Sequence, residues 1–286
     1  MKAEFLSKIM AEVDAFPSIP GSALRLLELV DQADAPIQDI EDVLRLDPGL
    51  TANVLKLTNS AFLGLPSKVG SVKRAVMLLG LKKLRQLIMA SCLNAVMDKD
   101  IPGYELSAGE LWRHSIAVSV AAEGLVRELD IASGEDIFTA ALLHDVGKLV
   151  LGQFIDNDYG ALRAAAGNTV SFEMAEKEVL GTDHAEIGAR ILEQWSLPAE
   201  LVHAVRWHHN PELAADILPS TDIVHVANML CLMLGIGVGR EGLQYQPSPV
   251  VTRRLGLKPF QLETLASQTI QTMGELADIF VMAESA

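Results

Sequence analysis

Residues 44–64, LRLDPGLTANVLKLTNSAFLG, carry the clearest helix signal in the chain. Asp47 is a residue type that caps helix N-termini, and Pro48 suits the first helical position, where its missing N–H would have no partner. Leu50, Val54 and Leu57 follow at intervals of three or four residues, which places them on one face of a helix. The stretch predicts a sharply started amphipathic helix that packs against other helices.

Comparable signals recur along the chain, and no stretch alternates apolar and polar residues as a half-buried strand does. Pro36 and Ser71 mark helix starts, and Gly80 is placed to end the second of these helices with a C-terminal cap. A further helix follows over residues 81–97. Later starts are expected at Ser107, Ser133, Asp183 and Pro198, with final helices near 221–235 and 259–281 and a loop between them. The fold class predicted is all-α, a two-part helical bundle.

Charge, proline and glycine interrupt the helical pattern at residues 98–110, DKDIPGYELSAGE, which indicates a joint. We therefore predict an N-terminal helical subdomain over residues 1–105 and a helical core over residues 106–240. A C-terminal loop and helix over residues 241–286 complete the chain.

The composition excludes several functions. A net charge of −14 in 286 residues argues against nucleic-acid binding, which depends on Lys and Arg neutralising phosphates. The longest apolar run, residues 223–239, is interrupted by His225 and Asn228 and so predicts a core helix and no membrane span. Cys92 and Cys231 lie in separate helical stretches, which favours free thiols in a reducing compartment. We expect a soluble, cytoplasmic protein.

The stretch TAALLHDVGKLVLGQF, residues 139–154, places His144 and Asp145 side by side in an apolar run. The doublet by itself is weak, because composition alone produces one about as often as not. Other polar residues of this half stand at predicted helix ends or within apolar helices. They are His114, His184, His203, His208, His209, Asp222, His225 and Asn228.

Each of these residues also has a purely structural interpretation. His114 could be a hydrogen-bonded core histidine. Glu110 could orient or join it, or could instead form a capping box with Ser107. His203 lies five residues before His208 and should point elsewhere. Several imidazoles at helix ends together with a buried carboxylate nevertheless predict a metal site, and these ligands favour Fe, Mn, Zn or Ni over Mg or Ca.

The order of these residues resembles the HD-domain superfamily of metal-dependent phosphohydrolases: His114, the LLHDVGKL doublet, His184, the His208–His209 pair and VHVAN. In the N-terminal half, the segments FPSIPGSALRLLELV, LRLDPGLTANVLKLTNSAFLG and SVKRAVMLLGLKKLRQL strongly resemble the HDOD domain, an HD-related output domain. The similarity runs from about residue 14 to residue 235.

This resemblance implies an all-α fold of two helical subdomains and a role in bacterial signal transduction, often without demonstrated catalysis. It implies His114, His144, Asp145, His184 and His208 as metal ligands. In the related HD-GYP phosphodiesterases a second-metal site recruits residues that Glu110, His208 and His209 match. Lys148 matches a lysine near the substrate phosphate, although it could equally be a charge that closes a helix C-terminus.

Two departures from the superfamily pattern bear on chemistry. Its last ligand is an Asp, and Asn228 stands in that place here; the GYP signature is also absent after His209. Two divalent ions bring four positive charges, whereas Asp145 and Glu110 supply at most two negative ones. The sequence therefore predicts one tightly held ion or a weakly occupied pair, and argues against an HD-GYP-type phosphodiesterase.

Three hypotheses follow from the sequence. The first is a regulatory module whose HD pocket, with or without metal, supports binding of a signalling protein or a small phosphorylated ligand. The second is a metal-dependent phosphohydrolase acting on a nucleotide or another phosphoester, with Asp145 and Lys148 as catalytic residues. The third is a structural helical domain without a site.

Overall fold

The computed structural model describes residues 2–32, 36–59, 65, 68–131, 137–166, 171–241 and 245–275. Within these ranges the regular elements are helices, accompanied by one isolated bridge between Ile101 and Leu106, which confirms the all-α prediction. The helices are α1 (Lys2–Asp14), α2 (Gly21–Val30), α3 (Ile37–Arg45), α4 (Pro48–Thr58), α5 (Val72–Met97), α6 (Glu110–Leu129), α7 (Ile137–Leu143), α8 (Lys148–Ala166), α9 (Phe172–Leu180), α10 (His184–Gln194), α11 (Ala199–Trp207), α12 (Pro219–Met233), α13 (Pro249–Arg254) and α14 (Pro259–Glu275).

The chain forms two compact units, and neither is one continuous stretch. One contains the residues up to 17 and 97–269, and the other contains 18–96 and the described residues from 270 on. In the first unit α1 packs against α8, α9 and α10, and Trp195 Nε1 donates a hydrogen bond to the carbonyl of Pro17 at 3.1 Å. This division differs from the predicted 1–105, 106–240 and 241–286. Helix signals in a sequence show where an element begins, not which element it packs against.

The second unit contains α4, whose N-terminus is capped by Asp47. The Oδ1 atom of Asp47 accepts the backbone N–H of Leu50 at 2.9 Å, and Ser22 donates its hydroxyl to Oδ2 at 2.7 Å. Pro48 is the first residue of α4, as predicted. Gly80 adopts the non-helical values φ 77° and ψ 169°, so α5 consists of two helical stretches joined by a kink at Gly80, where the sequence predicted that one helix ends and the next begins.

The first unit surrounds α12, all but two of whose fifteen residues are buried. This confirms that the apolar run near residue 223 is a core helix. One stretch, Ile137–Asp156, is long and apolar enough to cross a membrane by length and composition. However, 83% of its most apolar window is buried, and the chain turns within it at residues 144–147.

The predicted joint at residues 98–110 is part of the packed structure of this unit. Pro102–Tyr104 form a short 3-10 turn against α8, where a Cβ on Gly103 would lie 2.0 Å from the carbonyl oxygen of Gly152. Tyr104 is only 1% exposed. Proline and glycine here mark a tight backbone approach, which sequence patterns do not distinguish from a loop.

The expected loop before the last helix contains α13, which Ser248 caps by accepting the N–H groups of Val250 and Val251. Ser133 lies outside the described residues. The last helix is described from Pro259 to Glu275, and the remainder of its predicted span also lies outside them.

Asp47→Ala is expected to lower the free energy of unfolding by about 1 kcal/mol, because the N–H of Leu50 loses its acceptor. Asp47→Asn keeps an oxygen that can accept this hydrogen bond and should cost distinctly less. Urea unfolding followed by circular dichroism measures both variants. Equal losses in the two would contradict the capping role.

Gly147→Ala is expected to destabilise the first unit by about 1–3 kcal/mol, because its Cβ would lie 2.0 Å from the carbonyl oxygen of His184 and the backbone there cannot yield cheaply. Gly160→Ala in α8 is the matched control, since nothing lies within 4 Å of its added Cβ and Ala favours helix. Thermal unfolding compares them; a Gly147→Ala variant as stable as the control would contradict the close packing.

Candidate metal centre

Five histidines and one aspartate from separate segments of the first unit converge in a buried cluster. They come from α6, from the turn between α7 and α8, from the first residue of α10 and from the turn after α11. The members are His114, His144, Asp145, His184, His208 and His209. All of them except His114, which lies in the second turn of α6, are at helix ends or in turns, where a side chain can extend beyond its own helix toward those of its neighbours.

The carboxylate of Asp145 lies at the centre of this cluster. Its Oδ2 atom is 3.5 Å from Nε2 of His114 and 3.3 Å from Nε2 of His144. Its Oδ1 atom is 3.4 Å from Nε2 of His184 and 3.7 Å from Nε2 of His208. Four imidazoles therefore present the same ring nitrogen to one buried carboxylate.

Backbone carbonyls fix the tautomer of three of these rings. Nδ1 of His114 lies 2.8 Å from the carbonyl oxygen of Ile236. Nδ1 of His144 lies 2.7 Å from the carbonyl oxygen of Ala141, and Nδ1 of His208 lies 2.7 Å from that of Val205. A carbonyl oxygen only accepts, so Nδ1 carries a proton in each ring, and the lone pair of the neutral form is at Nε2. This arrangement is the one that orients histidines as metal ligands.

Burial keeps three rings of the cluster uncharged. It lowers the pKa of His114 to about 3 and holds the pKa of His208 and of His209 well below the ordinary value. Burial opposes the charge of Asp145, but His144 and Lys148 outweigh it and hold the pKa of its carboxyl well below the usual range.

Acceptor atoms therefore face acceptor atoms in a buried space. Among the described residues, Nε2 of His144, Nε2 of His208 and Oδ1 of Asp145 have no hydrogen-bond partner. Such atoms are costly to bury unless a proton or a cation lies between them. Nitrogen and oxygen donors of this kind suit a divalent transition metal, so the side chains present fit the ion that the sequence predicted.

Glu176 of α9 is a functional residue that the sequence analysis missed. Its Oε2 atom lies 2.8 Å from Nδ1 of His184 and accepts the backbone N–H of His184 at 2.9 Å, while Tyr104 donates its hydroxyl to Oε1 at 2.6 Å. Burial lowers the pKa of His184, but the carboxylate of Glu176 outweighs this and raises it to about 9. The proton at Nε2 can then be donated to Nε2 of His209, 2.8 Å away.

A signal for Glu176 existed in the sequence. Phe172, Glu176 and Leu180 are spaced by four residues and lie on the buried stripe of α9. A carboxylate at an apolar position of an amphipathic helix requires a partner in the core. The sequence could have indicated this need, but not that the partner is His184.

Lys148 is the first residue of α8, and its Nζ atom lies 2.8 Å from Oδ2 of Asp145 and 5.3 Å from the centre of the Tyr104 ring. The interpretation of Lys148 as a charge closing a helix C-terminus is wrong, because the helix starts there. Its ammonium group instead neutralises part of the buried negative charge.

The structure treats the two remaining predicted ligands differently. Oδ1 of Asn228 lies 3.1 Å from Nε2 of His114, beside the cluster. These are two acceptors, which a cation or a rotated amide group would reconcile. Glu110 is not brought into the cluster. Its Oε2 accepts the backbone N–H of Ser107 at 2.6 Å, but α6 begins at Glu110 with Gly109 as its N-cap, so Ser107 is not the cap that the capping-box alternative predicted.

The other polar residues of the region have partners outside the cluster. His203 lies 2.8 Å from the hydroxyl of Thr221, consistent with its interpretation as a bystander. Nδ1 of His225 lies 2.7 Å from the carbonyl oxygen of His208 and so helps to position the turn that carries His208. Asp222 forms a bidentate ion pair with Arg254.

The candidate ligands form two groups that share Asp145. Asp145, His184, His208 and His209 make one group, and His114, His144 and Asp145 make the other. In each group the ligand atoms lie within 4.8 Å of one another. The arrangement can hold one ion, or two that share a carboxylate.

Two solved bacterial structures share this fold. An HDOD domain protein of unknown function from Geobacter sulfurreducens superposes with a TM-score of 0.72 over 100% of this chain and 96% of its own, at 24% identity. A candidate phosphohydrolase from Shewanella amazonensis has the same TM-score and identity, over 94% of this chain and 97% of its own. At this identity the two structures establish the fold alone.

Sequence comparison gives the family. An uncharacterised protein of Treponema pallidum is 25% identical over 226 residues, which are 78% of this chain and 43% of that protein, so the chain spans less than half the length of this relative. Residues 16–211, more than half of the chain, match the HDOD domain. The chain belongs to the HDOD domain family.

Proposed function

We propose that the chain is a regulatory module of bacterial signal transduction whose HD pocket holds a divalent transition metal. The observation that carries the metal assignment is the convergence of imidazole Nε2 atoms on the ionised carboxylate of Asp145. His114, His144 and His208 each donate the proton of Nδ1 to a backbone carbonyl, so their lone pairs at Nε2 face the same buried space.

The residues of the pocket favour binding over turnover. Asp145 is the carboxylate that contacts the imidazole Nε2 atoms, and Lys148 already neutralises part of its charge. Asn228 supplies an uncharged amide beside His114, and an amide does not act as a general base. A pocket with one directly available negative charge favours one divalent ion over two.

Such a module stabilises or senses a ligand in its HD pocket while its helical surfaces contact a partner. The partner is a signalling protein or a small phosphorylated ligand. Cys92 and Cys231 are free thiols within the described residues, which agrees with a reducing compartment. We place the protein in the bacterial cytoplasm on this ground.

The alternative is a metal-dependent phosphohydrolase, and Lys148 is the observation in its favour. This lysine is 2% exposed and lies against Asp145, where its charge could contact the phosphate of a substrate. A bound divalent metal would supply Lewis-acid polarisation of a phosphoryl oxygen. The structural neighbour from Shewanella amazonensis is named a candidate phosphohydrolase, which gives this alternative some further support.

Protein purified without chelator is expected to contain about one equivalent of Fe, Mn, Zn or Ni by elemental analysis. Asp145→Asn should lose this metal, because it removes the central negative charge while keeping the side chain's shape. His203→Ala is the matched control, since its imidazole lies outside the cluster. Wild-type protein without transition metal, even after growth in medium supplemented with these ions, would contradict the proposal.

A panel of nucleotides and other phosphoesters with added Mn²⁺ or Fe²⁺ is expected to give no turnover above that of Asp145→Asn. The neutral amide of Asn228 and the ammonium of Lys148 both reduce the charge available to hold a reacting pair of ions. Wild-type turnover that disappears in His144→Ala would favour the phosphohydrolase over the regulatory module.

A further inference from the structure

The two oxygens of Asp145 face different ligand groups. We define the Oδ2 pocket as His114, His144 and Oδ2 of Asp145, and the Oδ1 pocket as Oδ1 of Asp145 with His184, His208 and His209. The two pockets share one carboxylate but differ in charge, in hydrogen bonding behind the ligands and in the number of donors.

The Oδ2 pocket already contains a cation. Nζ of Lys148 lies 2.8 Å from Oδ2 of Asp145, on the same oxygen that faces His114 and His144. An ammonium at this place uses a lone pair that a metal would need. It also repels a divalent ion in a buried setting, where charges are weakly screened.

The Oδ1 pocket instead has a second negative charge behind one of its ligands. Glu176 is fully buried, and its Oε2 atom lies 2.8 Å from Nδ1 of His184. Tyr104 and the backbone N–H of His184 hold the carboxylate of Glu176 in place. A carboxylate behind a metal-binding imidazole raises its basicity and offsets the charge of the ion. In the Oδ2 pocket, His114 and His144 have only uncharged carbonyls in this position.

The donor count points the same way. The Oδ1 pocket offers three imidazoles and a carboxylate oxygen within 4.8 Å of one another, a complete set for a four-coordinate ion once the proton between Nε2 of His184 and Nε2 of His209 is released. The Oδ2 pocket offers two imidazoles and the shared carboxylate. The next polar group beside it is the uncharged amide of Asn228, which lies near Nε2 of His114.

We propose that the metal binds preferentially in the Oδ1 pocket, to Asp145, His184, His208 and His209. Glu176 acts as the positioning residue for His184, and Lys148 takes the place of a second ion by keeping the Oδ2 pocket weak. This assignment rests on the proposed function, because it requires that the cluster bind metal, and it adds which ligands hold the ion and why there is one.

Metal affinity of matched histidine variants tests the assignment. Metal-free protein is titrated with Zn²⁺ against a chromophoric competitor, after circular dichroism has shown that each variant folds. His209→Ala is expected to weaken binding at least 10-fold, whereas His114→Ala should keep one equivalent with affinity within about 3-fold of wild type. A larger loss in His114→Ala than in His209→Ala would overturn the assignment.

The roles of the two charged residues are tested in the same titration. Glu176→Gln is expected to lose about 10- to 100-fold in affinity, the usual effect of removing a carboxylate behind a metal ligand. Glu173→Gln is its control, because Glu173 is buried on the same helix but hydrogen-bonds to Tyr245 instead of an imidazole. Equal affinities in these two variants would contradict the positioning role of Glu176.

Lys148→Met should allow a second equivalent to bind at excess Zn²⁺, because the Oδ2 pocket loses its resident cation. Lys177→Met is the control, a lysine that pairs with Asp183 outside the cluster. An unchanged stoichiometry of one in Lys148→Met would overturn the role given to Lys148.

Two results separate the proposed function from this assignment. If wild-type protein binds no Zn²⁺, Mn²⁺ or Fe²⁺ at all, the proposed function fails together with the assignment. If only the order of the histidine variants is reversed, the assignment fails and the proposed function stands.

Discussion

A buried carboxylate surrounded by imidazoles is the constraint on which the first unit depends. Asp145 has no exposed surface. Its charge is compensated on one side by Lys148, and on the other side it faces the Nε2 atoms of His184 and His208. A charge in such a place costs several kcal/mol unless it is paired or coordinates a cation. The histidines around it therefore need the correct tautomer, and the backbone carbonyls behind His114, His144 and His208 impose it.

Close backbone contacts hold these ligand-bearing segments at short distances. The turn that carries Asp145 approaches the first turn of α10 through Gly147, and the 3-10 turn that carries Tyr104 approaches α8 through Gly103. Through Tyr104 and Glu176 the second contact reaches His184. The packing of residues 98–110 and the chemistry of the cluster are thus connected. The two sides of Asp145 differ because Lys148 lies on one side and the carboxylate of Glu176 lies behind a ligand on the other.

The sequence predicted those features of the fold that depend on residues close together in the chain. Capping at Asp47, the break at Gly80 and burial of α12 are confirmed, since each depends on residues close together in the chain. The division into parts differed, because α1 joins the later helices by packing that no local pattern records. The metal-binding role of the histidines stays a prediction, although the structure brings five of them to one carboxylate.

By itself the sequence determined the helical class, several helix starts, the family and the set of residues able to hold an ion, because periodicity, caps and motifs are written in residue order. The tertiary structure decided which atoms face one another. Only there does Glu176 meet His184, Lys148 meet one particular oxygen of Asp145, and Glu110 turn away to Ser107. Those outcomes depend on long-range packing and on the cost of burying unpaired polar atoms, and neither is expressed in the spacing of residues along a chain.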